Sequence, residues 1–255
     1  GGQVAGQALV AAGRTVPEDR PVHSLHAYFL RPGMPASQVM YHVDPIRDGG
    51  SFTTRRTDAM QNGESIFHLS ASFHTPEDGY SHQIPQMDVP PPEELPPAEV
   101  AMADVDPDTY EWLLGLRRRV PLDLRFVQMP PRIAAMRGQA AAPEQKFWFR
   151  TPEPLPDDPL MHSCAATYTS DLFLLSTALA PHRDYIGRAG LQFASLDHAV
   201  WFHAPFRADD WLFYDQQGIW AGAGRGLCRG RLFDRTGRLV ATVMQEGLIR
   251  IRTPR

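Results

Sequence analysis

The strongest constraint on the fold of this chain is that one order of elements occurs in it twice. Residues 3–12 are small, apolar helix formers, and Gly13 can end them. Residues 22–30 are aromatic and β-branched and run into the turn Arg31-Pro32-Gly33. A strand over 39–43, a turn at 47–50, a strand over 51–60 and a strand over 65–73 follow. Asn62-Gly63 predicts a two-residue hairpin between the last two, because that pair tolerates positive φ at both central positions. Far downstream, residues 164–179 pattern as a longer helix with Cys164, Tyr168, Leu172 and Leu175 on one face, stopped by Pro181. An aromatic strand over 193–202 ends at Ala204-Pro205, and 211–214 follows. A Gly-rich run to Gly230, strand 231–233, turn 234–237 and strand 239–251 close the series.

The two series superimpose by simple offsets. Tyr28 through Pro32 lie over Trp201 through Pro205 at an offset of 173, and Gly63 lies over Gly237 at 174. Ile66, Leu69 and Ala71 then fall over Val240, Val243 and Gln245, and the opening helix falls over 171–179. Identity is low, so the order of elements carries the inference: a tandem duplication of one helix-plus-antiparallel-sheet unit, an α+β fold. The division expected is an N-terminal unit over 1–84, a linker over 85–120 and a C-terminal unit over 121–255. The linker carries seven prolines between Pro85 and Pro107 and acids at 88, 93, 94, 99, 104 and 106 without a base. Such a stretch is stiff and extended, and spacing is the role expected of it.

Composition narrows the function. With 43% hydrophobic residues the chain is globular, and no run approaches the roughly 20 apolar residues of a membrane-spanning helix. A net charge of −4 argues against general nucleic-acid binding. Two cysteines, Cys164 and Cys228, do not make a disulfide scaffold; free thiols in a reducing cytosol are expected, with a single disulfide left open. Lys146 is the sole lysine among 25 basic residues, which reads as a compositional bias. No leader is visible, and the opening Gly1-Gly2-Gln3 reads like the middle of a fold, so a preceding segment is expected.

Three residues stand out chemically. Asp171 interrupts an otherwise apolar helix, where an ionised carboxylate is costly without compensation. Read alone it is equally a cap or turn acid at a helix break. Gln245 interrupts an apolar final strand, either as an edge amide or as a buried amide offering donors and an acceptor. Ser195, Asp197 and His198 tempt toward a nucleophilic triad. On one continuous strand Asp197 and His198 point to opposite faces, with Ser195, Asp197, Ala199 and Trp201 sharing a side, and no Gly-x-Ser-x-Gly elbow precedes Ser195. His23 and His26 make a poor metal pair for the same reason, no metal-ligand spacing occurs elsewhere, and no metal or cofactor is expected. The glycines at 222, 224 and 226 lead into a strand and lack phosphate-cradling logic, and Arg117-Arg118-Arg119 reads as a solvated face.

These motifs resemble a family. Gly1 through Leu9, His23 through Gly33, Arg47 through Phe52, Asp197 through His203 and Gln245-Glu246-Gly247 closely resemble acyl-CoA thioesterase II, in order and in spacing, over nearly the whole chain. The resemblance implies a double hotdog, each hotdog an antiparallel sheet wrapped around a central helix. It implies that Asp171, in Ser170-Asp171-Leu172, Ser195, two residues before Asp197-His198, and Gln245 bind and activate a water. Members often carry Thr where Ser195 stands; the hydroxyl is kept and a methyl group lost.

The implied activity is hydrolysis of fatty acyl-CoA to free fatty acid and coenzyme A. The alternatives are a non-catalytic acyl-CoA-binding hotdog protein and, further off, an enoyl-CoA hydratase. A hydratase would need His five residues after its Asp, where Ser176 stands here. The resemblance also implies association into a homodimer or homotetramer. A cytoplasmic location is expected, since the chain ends Arg252-Thr253-Pro254-Arg255 without a peroxisomal address. The arginines over 225–238 are a candidate coenzyme A contact, with a solvated surface as the alternative.

Overall fold

The computed structural model describes residues 1–101, 111, 115, 120–137, 139, 141–185 and 189–252. In chain order the elements are α1 (Gly2–Gly13), β1 (Val22–Phe29), β2 (Met40–Asp48), β3 (Phe52–Gln61), β4 (Glu64–His74), a 3₁₀ turn (Pro92–Glu94), α2 (Ala98–Ala101), β5 (Asp123–Phe126), α3 (Pro131–Met136), β6 (Glu144–Arg150), α4 (Pro159–Ser170), α5 (Ser176–Leu179), a second 3₁₀ turn (Arg183–Tyr185), β7 (Leu191–Ser195), β8 (Asp197–Phe202), β9 (Leu212–Gly222), β10 (Arg225–Phe233) and β11 (Leu239–Ile251). The strands form one antiparallel sheet in the order β2-β3-β4-β1-β8-β11-β10-β9-β6-β5, with β7 also on β11.

That order is symmetric about the β1–β8 seam. β2-β3-β4-β1 on one side mirrors β9-β10-β11-β8 on the other, as a duplicated unit requires. The register repeats as well. Ala27 faces Leu69 across β1 and β4, and Val200 faces Val243 across β8 and β11. These are the same pairs shifted by the 173 and 174 read from the sequence.

The two central helices, each 12 residues long, pack against one another in opposite directions. Glycines at 2, 6 and 13 would cost an isolated helix roughly 1 kcal/mol each. Here their missing Cβ atoms let α4 approach: a Cβ on Gly6 would stand 3.1 Å from the Cys164 carbonyl oxygen. The second helix is nevertheless not the predicted one. It begins at Pro159 with Asp158 capping the Leu160 N–H, ends at Ser170, and the chain turns at Asp171 before the short α5. The counterpart of α1 is thus α4, upstream of the 171–179 segment that the offset had aligned with it. Glycines of β9, β10 and β11 make room for that segment. A Cβ on Gly218, Gly226 or Gly247 would fall within 2.6 Å of Ala178 or Leu175.

The predicted aromatic strand is also two strands, broken at Leu196. The Gly-rich run is a hairpin, turning at Ala223 (φ +48°) and Gly224 (φ +74°) between β9 and β10. Asn62 and Gly63 take the expected positive φ, +50° and +81°. Strands β5 and β6 have no counterpart in the sequence reading; β6 borders β9.

One apolar core joins both units, with Leu9, Leu25, Phe67 and Phe73 continuous with Phe147, Phe149, Tyr214 and Val243. Each such side chain contributes about 1.5–3 kcal/mol by leaving water. A smaller cluster of Trp148, Trp211, Phe213 and Phe233 is covered by Val89 and Leu95 of the Pro-rich stretch. Trp148 Nε1 donates to the Pro90 carbonyl at 3.0 Å, and Gln83 pairs with both Gly237 O and Leu239 N–H. This part of the linker therefore closes a core face and does more than space two units. Arg117-Arg118-Arg119 and part of the linker lie outside the described residues. Cys164 and Cys228 are free and buried, and burial pushes the Cys164 thiol up to about 12.

Candidate active site

Asp171 follows the last residue of α4, at φ −76° and ψ −18°. Beyond it the chain reverses through Phe173, which holds a strained φ of +64°. The Phe173 ring is gripped between Phe126 and Phe147, so packing compensates for the backbone cost. This turn presents the carboxylate to a group of donors from three other elements. Oδ1 accepts Gln245 Nε2 from β11 at 2.7 Å and the Ser195 hydroxyl from β7 at 3.5 Å. Oδ2 accepts the Gly2 N–H, at the start of α1, at 2.8 Å.

Residues separated by 24, 50 and 169 positions thus meet at one carboxylate. Gln245 is fully buried and uses its amide nitrogen twice, on Asp171 and on Ser195 Oγ at 3.0 Å. The amide must be turned this way, since its oxygen would repel the carboxylate. Gly2 admits the contact by having no side chain: a Cβ there would fall 2.2 Å from the Tyr168 carbonyl oxygen. The site is therefore built across the two units.

A one-residue β-bulge aims Ser195. Ser195 faces Gly247 while Ala199 faces Met244, so β7 and β8 use one more residue than β11 over the same length. The bulge reverses the side-chain alternation between Ser195 and Asp197. Ser195 and the fully buried His198 then share the inner side with Gln245, and Asp197 turns away. This corrects the expectation that Ser195, Asp197, Ala199 and Trp201 share a face. Asp197 instead accepts the Glu246 N–H at 2.6 Å and clamps the bulge to β11.

His198 is the residue that sequence reasoning passed over. Its Nε2 lies 2.7 Å from Ser170 Oγ, whose own proton goes to the Thr167 carbonyl, so Nε2 carries the hydrogen and donates. Full burial lowers the His198 pKa, which keeps the ring neutral near pH 7. The signal was a histidine inside a strand that contains a polar break, and only the bulge gives it a direction.

Burial works to raise the Asp171 pKa. Opposing it are the hydrogen bonds that the carboxylate accepts from the Gln245 amide and the Gly2 N–H. Neutral His198 acts here through its hold on Ser170, the residue preceding Asp171.

Asp171 and Ser195 line a cavity of about 1000 Å³ that extends along Val4, Phe29, Met34 and Ile66. Gln245 does not line it. The arginines over 225–238 are engaged elsewhere and do not converge on it: Arg225 on Glu246, Arg229 on Gln217, Arg231 on Asp215, Arg235 on Glu93 and Arg238 on Asp234. Among the described residues no group of three His, Cys, Asp or Glu side chains is placed to hold a metal ion.

Residues 1–74 match the family described as acyl-CoA thioesterase N-terminal domain, and residues 117–248 match the family described as acyl-CoA thioesterase. The mouse acyl-coenzyme A thioesterase 8 is 44% identical over 262 residues, covering 99% of this chain and 80% of its own. An acyl-CoA thioesterase II structure from Mycobacterium marinum is 46% identical, with a TM-score of 0.82, covering 99% of this chain and 89% of its own.

The chain belongs to the acyl-CoA thioesterase family.

Its fold is the tandem hotdog. A hot dog fold protein from Alicyclobacillus acidocaldarius, 20% identical, has a TM-score of 0.77 and covers 99% of this chain and 88% of its own. No helix among the described residues is long and apolar enough to cross a membrane.

Proposed function

We propose that this protein hydrolyses fatty acyl-CoA to a free fatty acid and coenzyme A, with Asp171 as general base acting on a water held between its carboxylate and Ser195 Oγ. The water oxygen attacks the thioester carbonyl carbon while its proton passes to Asp171. The carbonyl electrons collect on oxygen. They return as the C–S bond breaks, and the coenzyme A thiolate leaves and takes a proton. A thiol leaving group with a pKa near 8–9 needs no covalent nucleophile, so a weak carboxylate base suffices. Backbone N–H groups in the first turn of α1 have no intrahelical partner and lie at the cavity, where they suit a developing oxyanion. Gln245 acts from behind: it fixes Asp171 and Ser195 and does not itself reach the cavity.

The observation that carries this reading is the convergence of Ser195 and Gln245 on the Asp171 carboxylate, with Asp171 and Ser195 at the cavity wall. The test is thiol release from acyl-CoA. Asp171→Asn keeps the shape and should lower kcat by about 10²–10⁴-fold with the fold intact. Gln245→Ala should lose less and Ser195→Ala least, since positioning is shared. Near-wild-type turnover in Asp171→Asn would overturn the mechanism. The same reading includes the division at 84 and 120, a cytoplasmic location and assembly into a homodimer or homotetramer.

A further inference from the structure

Gln61, the last residue of β3, is almost fully buried and takes no part in the chemistry above. Its carboxamide acts as an extra peptide unit. Oε1 accepts the Met34 N–H at 2.9 Å, and Nε2 donates to the carbonyls of Met34 and Ser37, both at 3.0 Å. These bonds hold the stretch 32–39 between β1 and β2, which contains two prolines. The other backbone bond of that stretch, from Ser37 N–H to Met34 O, is internal to it. Among the described residues, the Gln61 amide is thus the polar tie between this segment and the sheet.

The tied segment lines the cavity through Pro32, Met34, Pro35 and Val39, together with Val4 and Ile66. Two of the polar groups near this arm, Tyr41 and Arg31, are already matched. Tyr41 OH donates to Gln7 Oε1 at 2.6 Å, and Arg31 donates to the Ser65 carbonyl and pairs with Glu64. An arm with apolar walls and no unmatched cation suits a hydrocarbon chain and not a phosphate-bearing group.

We propose that Gln61 is a specificity-positioning residue, whose clip on Met34 and Ser37 holds the roof of the arm that receives the acyl chain. The proposal rests on the thioesterase reading. Short acyl groups end near Asp171 and do not need the roof; long ones do.

The experiment compares kcat/KM for butyryl-CoA and palmitoyl-CoA by thiol release. Gln61→Met is nearly isosteric and removes all three bonds. It should lower the palmitoyl-to-butyryl ratio by about tenfold, through KM, with butyryl turnover within about twofold of wild type. Met34→Trp fills the arm without touching the clip and should lower the ratio by at least about tenfold, as several methylenes lose their place. If Gln61→Met does not fold, Gln61→Glu carries the same test, keeping the acceptor for Met34 N–H and setting a carboxylate against two carbonyls. Ratios unchanged in these variants, equal losses on both substrates, or a wild type active on butyryl-CoA alone would overturn the proposal. A wild type that releases no thiol from either substrate would overturn the thioesterase reading itself.

Discussion

Asp171 sits under two opposed demands. Burial favours the neutral acid, and a general base must stay ionised. The Gln245 amide and the Gly2 N–H, both hydrogen-bonded to the carboxylate, favour the ion against that burial. A general base must be ionised to act, so the rate should fall as pH drops through the Asp171 pKa, provided the fold persists. Gln245→Glu places a second carboxylate beside the first and should move the acid limb of kcat to higher pH. A pH–rate profile with an unmoved limb would refute the electrostatic role of Gln245. His198 makes the complementary prediction for stability. Its folded pKa lies below the unfolded value of 6.5, so the unfolded state takes up protons first. Its contribution is present above that value and is lost as pH falls from 6.5 toward the folded pKa. His23, His162 and His203 are shifted the same way by burial. Tm should fall between pH 7 and 5, and the fall should be shallower in His198→Asn.

At the scale of elements, the end of α4 is held where a helix would otherwise fray. The fully buried Tyr214 of β9 donates its hydroxyl to the Ser170 carbonyl at 2.6 Å, and Gln216 Nε2 donates to the Leu172 carbonyl at 2.7 Å. These bonds satisfy carbonyls left open as the helix ends and fix the turn that carries Asp171. Tyr214→Phe keeps the packing and leaves a buried carbonyl unpaired, a loss of about 1–3 kcal/mol. Chemical denaturation should read this as a lower midpoint at unchanged slope. The α1–α4 contact is equally specific. Gly6→Val should wedge the helices apart, lower Tm, and lower kcat as well, because the Gly2 N–H retreats from Asp171. A Tm loss with full activity would show that the helix contact and the site are separable.

At the scale of the whole molecule, the duplication has produced an unequal pair. The sheets join at β1 and β8 into a continuous surface, yet Asp171, Ser195 and Gln245 all belong to the second unit. The first unit contributes the start of α1 and the 32–39 wall. Neither half makes the site alone, so separately produced halves should release no thiol even where each is soluble. Apolar side chains remain on the outside, with Met40 at 73% and Ile46 at 60% exposure on β2. Light scattering at micromolar concentration should give a dimer or tetramer mass; a value near 28.5 kDa would refute the assembly.

The repeat, the order of elements along each unit and the Asn62-Gly63 hairpin were legible in the residues, because hydrophobic alternation and turn chemistry are local. The pairing of Ala27 with Leu69 recurs as Val200 with Val243 at the two offsets, since a duplicated sheet keeps its pairing. Asp171 and Gln245 were visible as polar residues in apolar elements, and family resemblance added Ser195. What tertiary structure alone decided was direction. A single extra residue near Leu196 reversed which side chains face inward, placing His198 at the site and Asp197 outside it. Period-two reasoning cannot detect a bulge that pairing with β11 imposes. The break of the second helix at Asp171 was likewise out of reach, because apolar periodicity continues to Leu179. The chain leaves the helix there because buried partners on β8, β9 and β11, together with the start of α1, offer Ser170, Asp171 and Leu172 hydrogen bonds that a continuing helix could not reach.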